Sequence, residues 1–329
     1  MSGLKLLDQT RQAPDVKSAA LTANTPLVDV SVVAVIPEGH ELKRGEHAID
    51  TTDNIVSPGY FKTIGTPLVR GRDFLDTDTA NTPQVAIVNE QFASHYWPKQ
   101  DPIGKRIRLH DATGKQVEVV GVAKVAKYIF ISESPLDYIF LPFSQNPQGN
   151  MRMLAQSKNS NSAALVPVLR QIVQRLDRNM PVFDVRTMES LYQMRAVSTP
   201  AMITQTVTAL GLMGLVLAVV GLYGVVSYTV SKRSREFGIR MAVGADRRSV
   251  VRMVLQQGLI LGTAGLAVGL VLGIVVARAL ANSAMFSFPT NVLPFVAVSI
   301  LLLLSVTFSA YVPARRASLI DPMRALREE

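Results

Sequence analysis

The stretch ITQTVTALGLMGLVLAVVGLYGVVSYTV, residues 203–230, contains no charged side chain. A helix crosses the hydrocarbon core of a bilayer with about 20 predominantly apolar residues, and this stretch is longer than that. Residues 255–281 and residues 292–312 are similarly apolar, with Arg278 as the only charged residue in either stretch. Residues 201–329 are therefore predicted to form an all-α membrane domain of three transmembrane helices.

Three buried helices of a soluble protein are the alternative interpretation of these stretches. Helices in globular cores are usually shorter and keep a polar face, whereas the three stretches show no continuous polar face. The composition of the whole chain also favours a membrane protein, since 48% of its 329 residues are hydrophobic and only 18% are charged. We therefore favour the membrane interpretation.

The positive charge of the chain is concentrated beside the apolar stretches. The formal net charge is +9, a property that also occurs in nucleic-acid-binding proteins. Residues 232–252, however, hold seven Lys or Arg against two acids, and residues 313–329 are also basic, whereas residues 282–291 are uncharged. Basic loops stay on the cytoplasmic side of a membrane. We therefore expect no nucleic-acid partner, a cytoplasmic 232–252 loop and C-terminal tail, and an extracytoplasmic position for residues 1–200.

The first residues of the chain, MSGLKLLDQTRQAPDVKSAA, lack the apolar segment of a signal peptide. An extracytoplasmic domain needs a segment that directs its export across the membrane. We therefore expect that the N-terminal part of the domain is truncated, and that an upstream membrane span either lies outside the sequence given or has been lost.

Residues 1–200 carry alternating strand and helix patterns. PLVDVSVVAVI (26–36) has the β-branched alternation of a strand, and PQVAIVNEQFASHYW (83–97) indicates a strand that runs into a helix. KRIRLHDATGKQVEVVGVAKV (105–125) predicts a hairpin with DATG as its turn, and MPVFDVRTM (180–188) predicts another strand. The expected fold class is an α+β extracytoplasmic domain over residues 1–200.

The sequence contains no recognisable catalytic motif. There is no cysteine, and the Gly-Lys pairs at 104–105 and 114–115 lack the preceding glycine of a phosphate-binding P-loop (Walker A). A group of acids, Asp73, Asp76 and Asp78, lacks the glycine and glutamate of a calcium-binding loop, so we expect a solvated loop. The histidines do not have the spacing of metal ligands: His40, His47, His95 and His110. We therefore expect no enzyme activity, cofactor or metal in this chain.

The segment SREFGIRMAVGADRRS (234–249) joins the first two apolar stretches. Gly244 is expected to end a short helix, on which Phe237 and Met241 share a face suited to a groove on a partner. Glu236 and Arg240, also four residues apart, are expected to pair with each other or with that partner. A basic helix that only fixes the membrane topology is the alternative.

Small residues form a stripe in the second apolar stretch. Five glycines are spaced by four, three, four and four residues, which places them along one side of a helix: Gly258, Gly262, Gly265, Gly269 and Gly273. Such a stripe lets another helix approach closely. The residues alone leave open whether the approaching helix belongs to the same chain or to a second copy.

Several segments together resemble a known family. REFGIRMAVGA (235–245), followed by two apolar stretches and the terminal PARRASLIDPMRALREE, resembles the FtsX-like permease domain of MacB-type ABC transporters. Four further segments resemble the MacB-type periplasmic core domain: VSPGYFKTIGTPLVRGRDF (56–74), VAIVNEQFASHYWPKQDPIGKRI (85–107), VEVVGVAKVAKY (117–128) and LDRNMPVFDVRTM (176–188).

The resemblance implies a function and partners. Such a chain is a permease subunit of the plasma (inner) membrane that couples a separate cytoplasmic ABC ATPase to movements of its extracytoplasmic domain, for export or efflux. It is expected to form a homodimer or to pair with another permease half. The family has four spans per unit, of which the last three are recognisable here. The resemblance also implies a coupling helix that contacts the ATPase, with these residues: Arg235, Glu236, Phe237, Gly238, Arg240, Met241 and Gly244.

Two other functions remain open at this point. One is a non-transporting transmembrane signal transmitter that regulates an envelope enzyme or a sensor. The other is a truncated, inactive permease remnant. The sequence identifies neither a substrate nor a direction of transport.

Overall fold

The computed structural model describes residues 2–42, 45–129, 133–159, 161–176, 178, 182, 184–243, 246–281 and 293–317. The chain divides into two compact units, Met1–Pro200 and Ala201–Glu329. The first is rich in strands and the second is helical, which confirms the predicted fold class of an α+β domain followed by an all-α membrane domain.

The described part of the first unit contains nine strands and five α-helices. The strands are β1 Val16–Thr22, β2 Ser31–Pro37, β3 Ile49–Val56, β4 Leu68–Gly71, β5 Val85–Asn89, β6 Arg106–Leu109, β7 Gln116–Ala123, β8 Tyr138–Pro142 and β9 Arg152–Ser157. The helices are α1 Ser2–Gln12, α2 Tyr60–Ile64, α3 Glu90–Tyr96, α4 Leu165–Leu176 and α5 Met188–Tyr192, and the last is followed by a π-helical segment, Gln193–Ser198.

All nine strands belong to one mixed sheet. Its order is β2-β6-β7-β5-β8-β3-β1-β9, with β4 attached to β7. Because β2 also pairs with β3, six of the strands close into a ring. The pairs β3–β8 and β5–β7 are parallel, and the other pairs are antiparallel.

The two faces of the sheet have separate apolar cores, because successive side chains of a strand point to opposite faces. On β8, Ile139 and Leu141 join one core, whereas Tyr138 and Phe140 join the other. The second core is aromatic, and the rings of Phe61 on α2 and Phe140 lie 4.9 Å apart in an edge-on arrangement.

Two of the local predictions are confirmed and two need correction. The hairpin at 105–125 is formed by β6 and β7, and β5 runs directly into α3 as the 83–97 pattern indicates. The strand predicted over 26–36 begins only at Ser31, since Leu27 has a left-handed φ of 66° and lies in a turn.

The strand predicted over 180–188 is wrong for the residues that the structure describes there. Residues 182 and 184–187 contain no strand, and α5 begins at Met188. Asp184 has a φ of 56°, which is incompatible with extended backbone. Its carboxylate forms an ion pair with Arg186 two residues later, so the segment satisfies its charges locally.

The described part of the second unit consists of long apolar helices and one short helix. They are α6 Thr199–Lys232, α7 Ser234–Ala242, α8 Arg247–Ala281 and α9 Leu293–Ala317. Among the described residues, α6, α8 and α9 are the helices long and apolar enough to cross a membrane. Large apolar side chains along them are exposed, for example Leu217, Val268 and Leu304, which suits contact with lipid rather than water. The prediction of three transmembrane helices is thereby confirmed.

Candidate functional site

The predicted short helix between the first two spans exists as α7. The amide of Phe237 donates to the Arg233 carbonyl at 3.1 Å, and the amide of Val243 donates to Ile239 at 3.1 Å at the other end. Gly238 lies within α7. Gly244 lies outside the described residues, so its role in ending the helix stays a prediction.

The inner face of α7 is held by the long helices. Phe237 is only 2% exposed, and Met241, one turn later, is partly buried beside it. They share one apolar cluster with residues of α6, α8 and α9, namely Val226, Val230, Val250, Val254, Ala310 and Ala314. Burying a phenylalanine is favourable by about 1.5 to 3 kcal/mol. Phe237 therefore anchors α7 within the chain and is not exposed to a partner groove, which differs from the expectation drawn from its spacing.

The outer face of α7 is a different surface from the one that the spacing indicated. Ile239 is 47% exposed and Val243 is 84% exposed, and the two lie four residues apart. Arg235 is exposed one turn before Ile239. We call Arg235, Glu236, Ile239, Arg240 and Val243, which are all exposed, the outer face of α7.

The expected pairing of Glu236 with Arg240 is present on this outer face. The Nη2 atom of Arg240 donates to Oε1 of Glu236 at 2.8 Å, and both side chains are nearly half exposed. An exposed pair of this kind contributes only about 0.3 to 0.5 kcal/mol. The Nη1 atom of Arg240 also contacts the sulfur of Met253 on α8 at 3.8 Å. These contacts orient the two charges without burying them.

Sequence reasoning missed Ile239 and Val243 as the apolar part of this surface. Their spacing equals that of Phe237 and Met241, so the signal was available. The expectation placed Phe237 on the exposed side of the helix, whereas the structure buries it, because spacing alone does not say which side of a helix the rest of the chain covers. Which residues of α7 contact a partner stays a prediction.

The glycines of the α8 stripe lie in two different environments. A Cβ on Gly258 would lie 2.8 Å from the Cβ of Ala310, and one on Gly262 would lie 2.5 Å from Val306, so both glycines pack against α9 of the same chain. A Cβ on Gly273 would be 3.9 Å from the ring of Phe295. Among the residues that the structure describes, no atom lies within 4 Å of a Cβ on Gly265 or Gly269. An interface with a second copy stays a prediction for those two.

The acidic loop of the sheet unit is solvated at Asp76, as expected, but it buries Asp78. Asp78 is 6% exposed, and its carboxylate accepts from both terminal nitrogens of Arg72, at 2.8 and 3.0 Å, and from the Leu75 amide. Burial acts to raise the pKa of Asp78, but these hydrogen bonds and the Arg72 charge lower it below 3.8. Among the described residues, no acids or histidines are grouped as metal ligands would be.

The fold defines the class of the protein: a membrane protein in which a mixed-sheet domain precedes three spanning helices. The family model for the MacB-like periplasmic core domain matches residues 6–177, and the model for the FtsX-like permease C-terminal matches residues 208–322. The chain belongs to the MacB/FtsX-type permease family, and the resemblance read from its motifs is confirmed.

Known relatives are similar over most of the chain. The macrolide export ATP-binding/permease protein MacB of Shewanella sp. (strain W3-18-1) is 26% identical over 328 residues, covering 95% of this chain and 49% of that protein. The uncharacterized ABC transporter permease YknZ of Bacillus subtilis (strain 168) is 26% identical over 308 residues, covering 91% of this chain and 75% of that protein. The chain thus spans about half the length of the MacB relatives that it matches.

A crystal structure of the periplasmic region of MacB from Actinobacillus actinomycetemcomitans is similar to part of this chain. The identity is 15% and the TM-score is 0.39, over 53% of this chain and 73% of that one.

Proposed function

We propose that the chain is the permease subunit of an ABC transporter, and that it couples a separate cytoplasmic ATPase to movements of its extracytoplasmic domain for export. Membership of the MacB/FtsX-type family supports this function. The sequence given contains no P-loop, and in this proposal ATP hydrolysis is assigned to a partner.

The observation that carries the proposal is the two-sided character of α7. Its inner side is anchored through Phe237 in the cluster shared by α6, α8 and α9. Its outer face presents Ile239 and Val243 beside the Glu236–Arg240 pair. An apolar pair flanked by charges on one side of a helix is the pattern of a helix that docks in a partner's groove.

The anchoring gives the outer face a mechanical role. A force applied to a free loop would bend the loop, whereas α7 shares buried contacts with the membrane helices. Of these, α8 is 35 residues long, which corresponds to about 50 Å at 1.5 Å per residue and is enough to cross a bilayer. Gly258 and Gly262 pack α8 closely against α9. In this proposal α8 and α9 move together when the ATPase displaces α7.

The membrane topology and the assembly belong to the same proposal. Lys232, Arg233 and the other basic residues next to the spans favour the cytoplasmic side for α7. The domain of residues 1–200 then lies outside the plasma (inner) membrane, and residues 201–329 form the permease domain. Gly265 and Gly269 have no described atom within 4 Å of an added Cβ, and they are the positions that we propose for contact with a second permease half.

The test is co-purification of the ATPase from membranes. Ile239→Ser combined with Val243→Ser keeps the buried anchor but removes the apolar pair, so the variant is expected to stay in the membrane and to lose the ATPase. The matched control is Val30→Ser with Val32→Ser, two exposed valines of the sheet unit, and it should keep the ATPase. Retention of the ATPase by the outer-face variant would refute the proposal.

A further inference from the structure

The helix that leads into the first span changes its hydrogen-bond register. Helix α5, the π-helical segment Gln193–Ser198 and α6 form one continuous helix, Met188–Lys232. At the end of the segment, the amide of Thr199 donates to the carbonyl of Met194, five residues before it. In an α-helix the same amide bonds to the carbonyl four residues before it. Turns of the π type are rare and occur frequently at functional sites, so this one calls for a cause.

The threonine hydroxyls of this helix also differ between the two registers. In the α-helical part, the hydroxyls of Thr206 and Thr229 donate to carbonyls four residues before them, at 2.9 and 2.8 Å. The hydroxyl of Thr199 donates to Met194, five residues before it, at 2.8 Å. In an α register the carbonyl of Arg195 would take that place. The hydroxyl of Thr199 thus has an acceptor in either register and does not itself fix the π register.

Pro200 gives a physical cause for the π register. In an α register the amide of residue 200 would donate to the carbonyl of Ala196, which lies inside the segment. A proline nitrogen carries no hydrogen, and its ring clashes with the carbonyl four residues before it. A π register instead places the amide of the next residue, Ala201, opposite the carbonyl of Ala196, because its bonds span five residues. The wider turn therefore relieves the clash and supplies a donor.

Packing does not hold the segment in either register. None of the side chains of Gln193–Ser198 is buried, whereas Leu191, just before the segment, is buried. A change of register inside the segment therefore removes no buried contact of the segment itself. Exposed segments without buried apolar contacts belong to the least stable parts of a protein.

We propose that Gln193–Ser198 is a register switch. With Pro200 present the resting state is the π register, and conversion to the α register advances the helix by one residue. At 3.6 residues per turn and 1.5 Å per residue, this conversion turns the residues from Thr199 onward by about 100° about the helix axis relative to Leu191 and shifts them by about 1.5 Å. The movement of α6 under the ATPase drives the conversion, so the role of the switch, though not its two registers, rests on the proposed function.

The register can be measured with two spin labels on opposite sides of the segment. The chain contains no cysteine, so Met188→Cys with Met202→Cys, both at exposed positions, attaches one label pair to the full chain in bilayer discs. Pulsed electron paramagnetic resonance then gives the distance between the labels, and the native segment is expected to show predominantly one distance. Pro200→Ala restores the amide donor and should raise the ratio of α to π register about a hundredfold, the factor that corresponds to a proline in a helix interior. A different distance should then predominate.

The matched control is Pro313→Ala, the same substitution inside α9, which should leave the label distance unchanged. The register switch is overturned if Pro200→Ala keeps the native distance, or if both substitutions change it equally. With the ATPase and ATP added, the chain with Pro200 should populate the distance found for Pro200→Ala, and its absence while the ATPase is bound would also overturn the switch. Failure of the ATPase to co-purify with the wild type would instead contradict the proposed function, so the two failures are distinguishable.

Discussion

Replacement of Phe237 by alanine tests whether α7 is held as a rigid part of the membrane unit. The side chain is 2% exposed in the cluster that also contains Val230 and Val254. Truncation of a buried phenylalanine to alanine costs about 3 to 5 kcal/mol. A cavity of about 240 Å³ already adjoins Phe237, so its neighbours do not enclose it completely. We therefore expect the lower end of that range, about 3 kcal/mol.

The loss should appear as local opening of α7, since Phe237 is its most deeply buried described side chain. A change of 3 kcal/mol corresponds to about a hundredfold, at 1.4 kcal/mol for each factor of ten. Amide hydrogen exchange of the wild-type and variant chains in bilayer discs measures this directly. The amide of Val243, which bonds to the Ile239 carbonyl, is a suitable reporter.

The matched control for this experiment is Ile239→Ala in the same helix. Ile239 is 47% exposed on the outer face, so its truncation should change exchange by less than about threefold, because surface substitutions usually stay within 0.5 kcal/mol. Unchanged exchange in Phe237→Ala would refute the anchoring role. Equal acceleration in both variants would refute the assignment of the two faces.

Two further predictions concern packing and charge. Gly262→Ala should destabilise the helical unit of a single chain by about 1 to 3 kcal/mol, because its Cβ would lie 2.5 Å from Val306. Gly269→Ala should not destabilise the single chain, because no described atom lies within 4 Å of that Cβ and alanine favours a helix over glycine. Thermal unfolding of the monomer in detergent compares them. Asp78→Asn should destabilise the sheet unit by about 2 kcal/mol at neutral pH by weakening the Arg72 bonds, as followed by the fluorescence of the only tryptophan, the buried Trp97. The folded-state pKa of Asp78 is lowered, so its contribution to the free energy of unfolding is present above the unfolded-state pKa. That contribution is lost as the pH falls through the folded-state pKa. The difference in stability between the wild type and Asp78→Asn should therefore shrink below about pH 4. A constant difference across that range would contradict the assignment.

Local patterns predicted those parts of the fold in which neighbouring residues decide the structure. The hairpin of β6 and β7 was predicted from its turn DATG, and the β5–α3 junction was predicted from the strand and helix pattern over 83–97. In the structure this junction has a polar cap, because Oδ1 of Asn89 accepts from the Phe92 amide at 2.9 Å. The same reasoning failed over 180–188, where apolar residues occur at strand spacing but Asp184 adopts a left-handed conformation. The closure of the ring by β2 and β3 was not predicted, since strand order depends on pairings between distant residues.

The sequence by itself determined that three helices cross a membrane and that a mixed domain precedes them. Length, hydropathy and the placement of basic residues are properties of each segment alone, and a bilayer imposes the same requirement on every span. Only the tertiary structure decided which side of α7 is available to a partner. Both sides carry two apolar residues four apart, and Phe237 is buried in a cluster that includes Val226 and Ala310, which lie on other helices. The free energy of that burial comes from residues brought together by folding, so no local pattern reveals it.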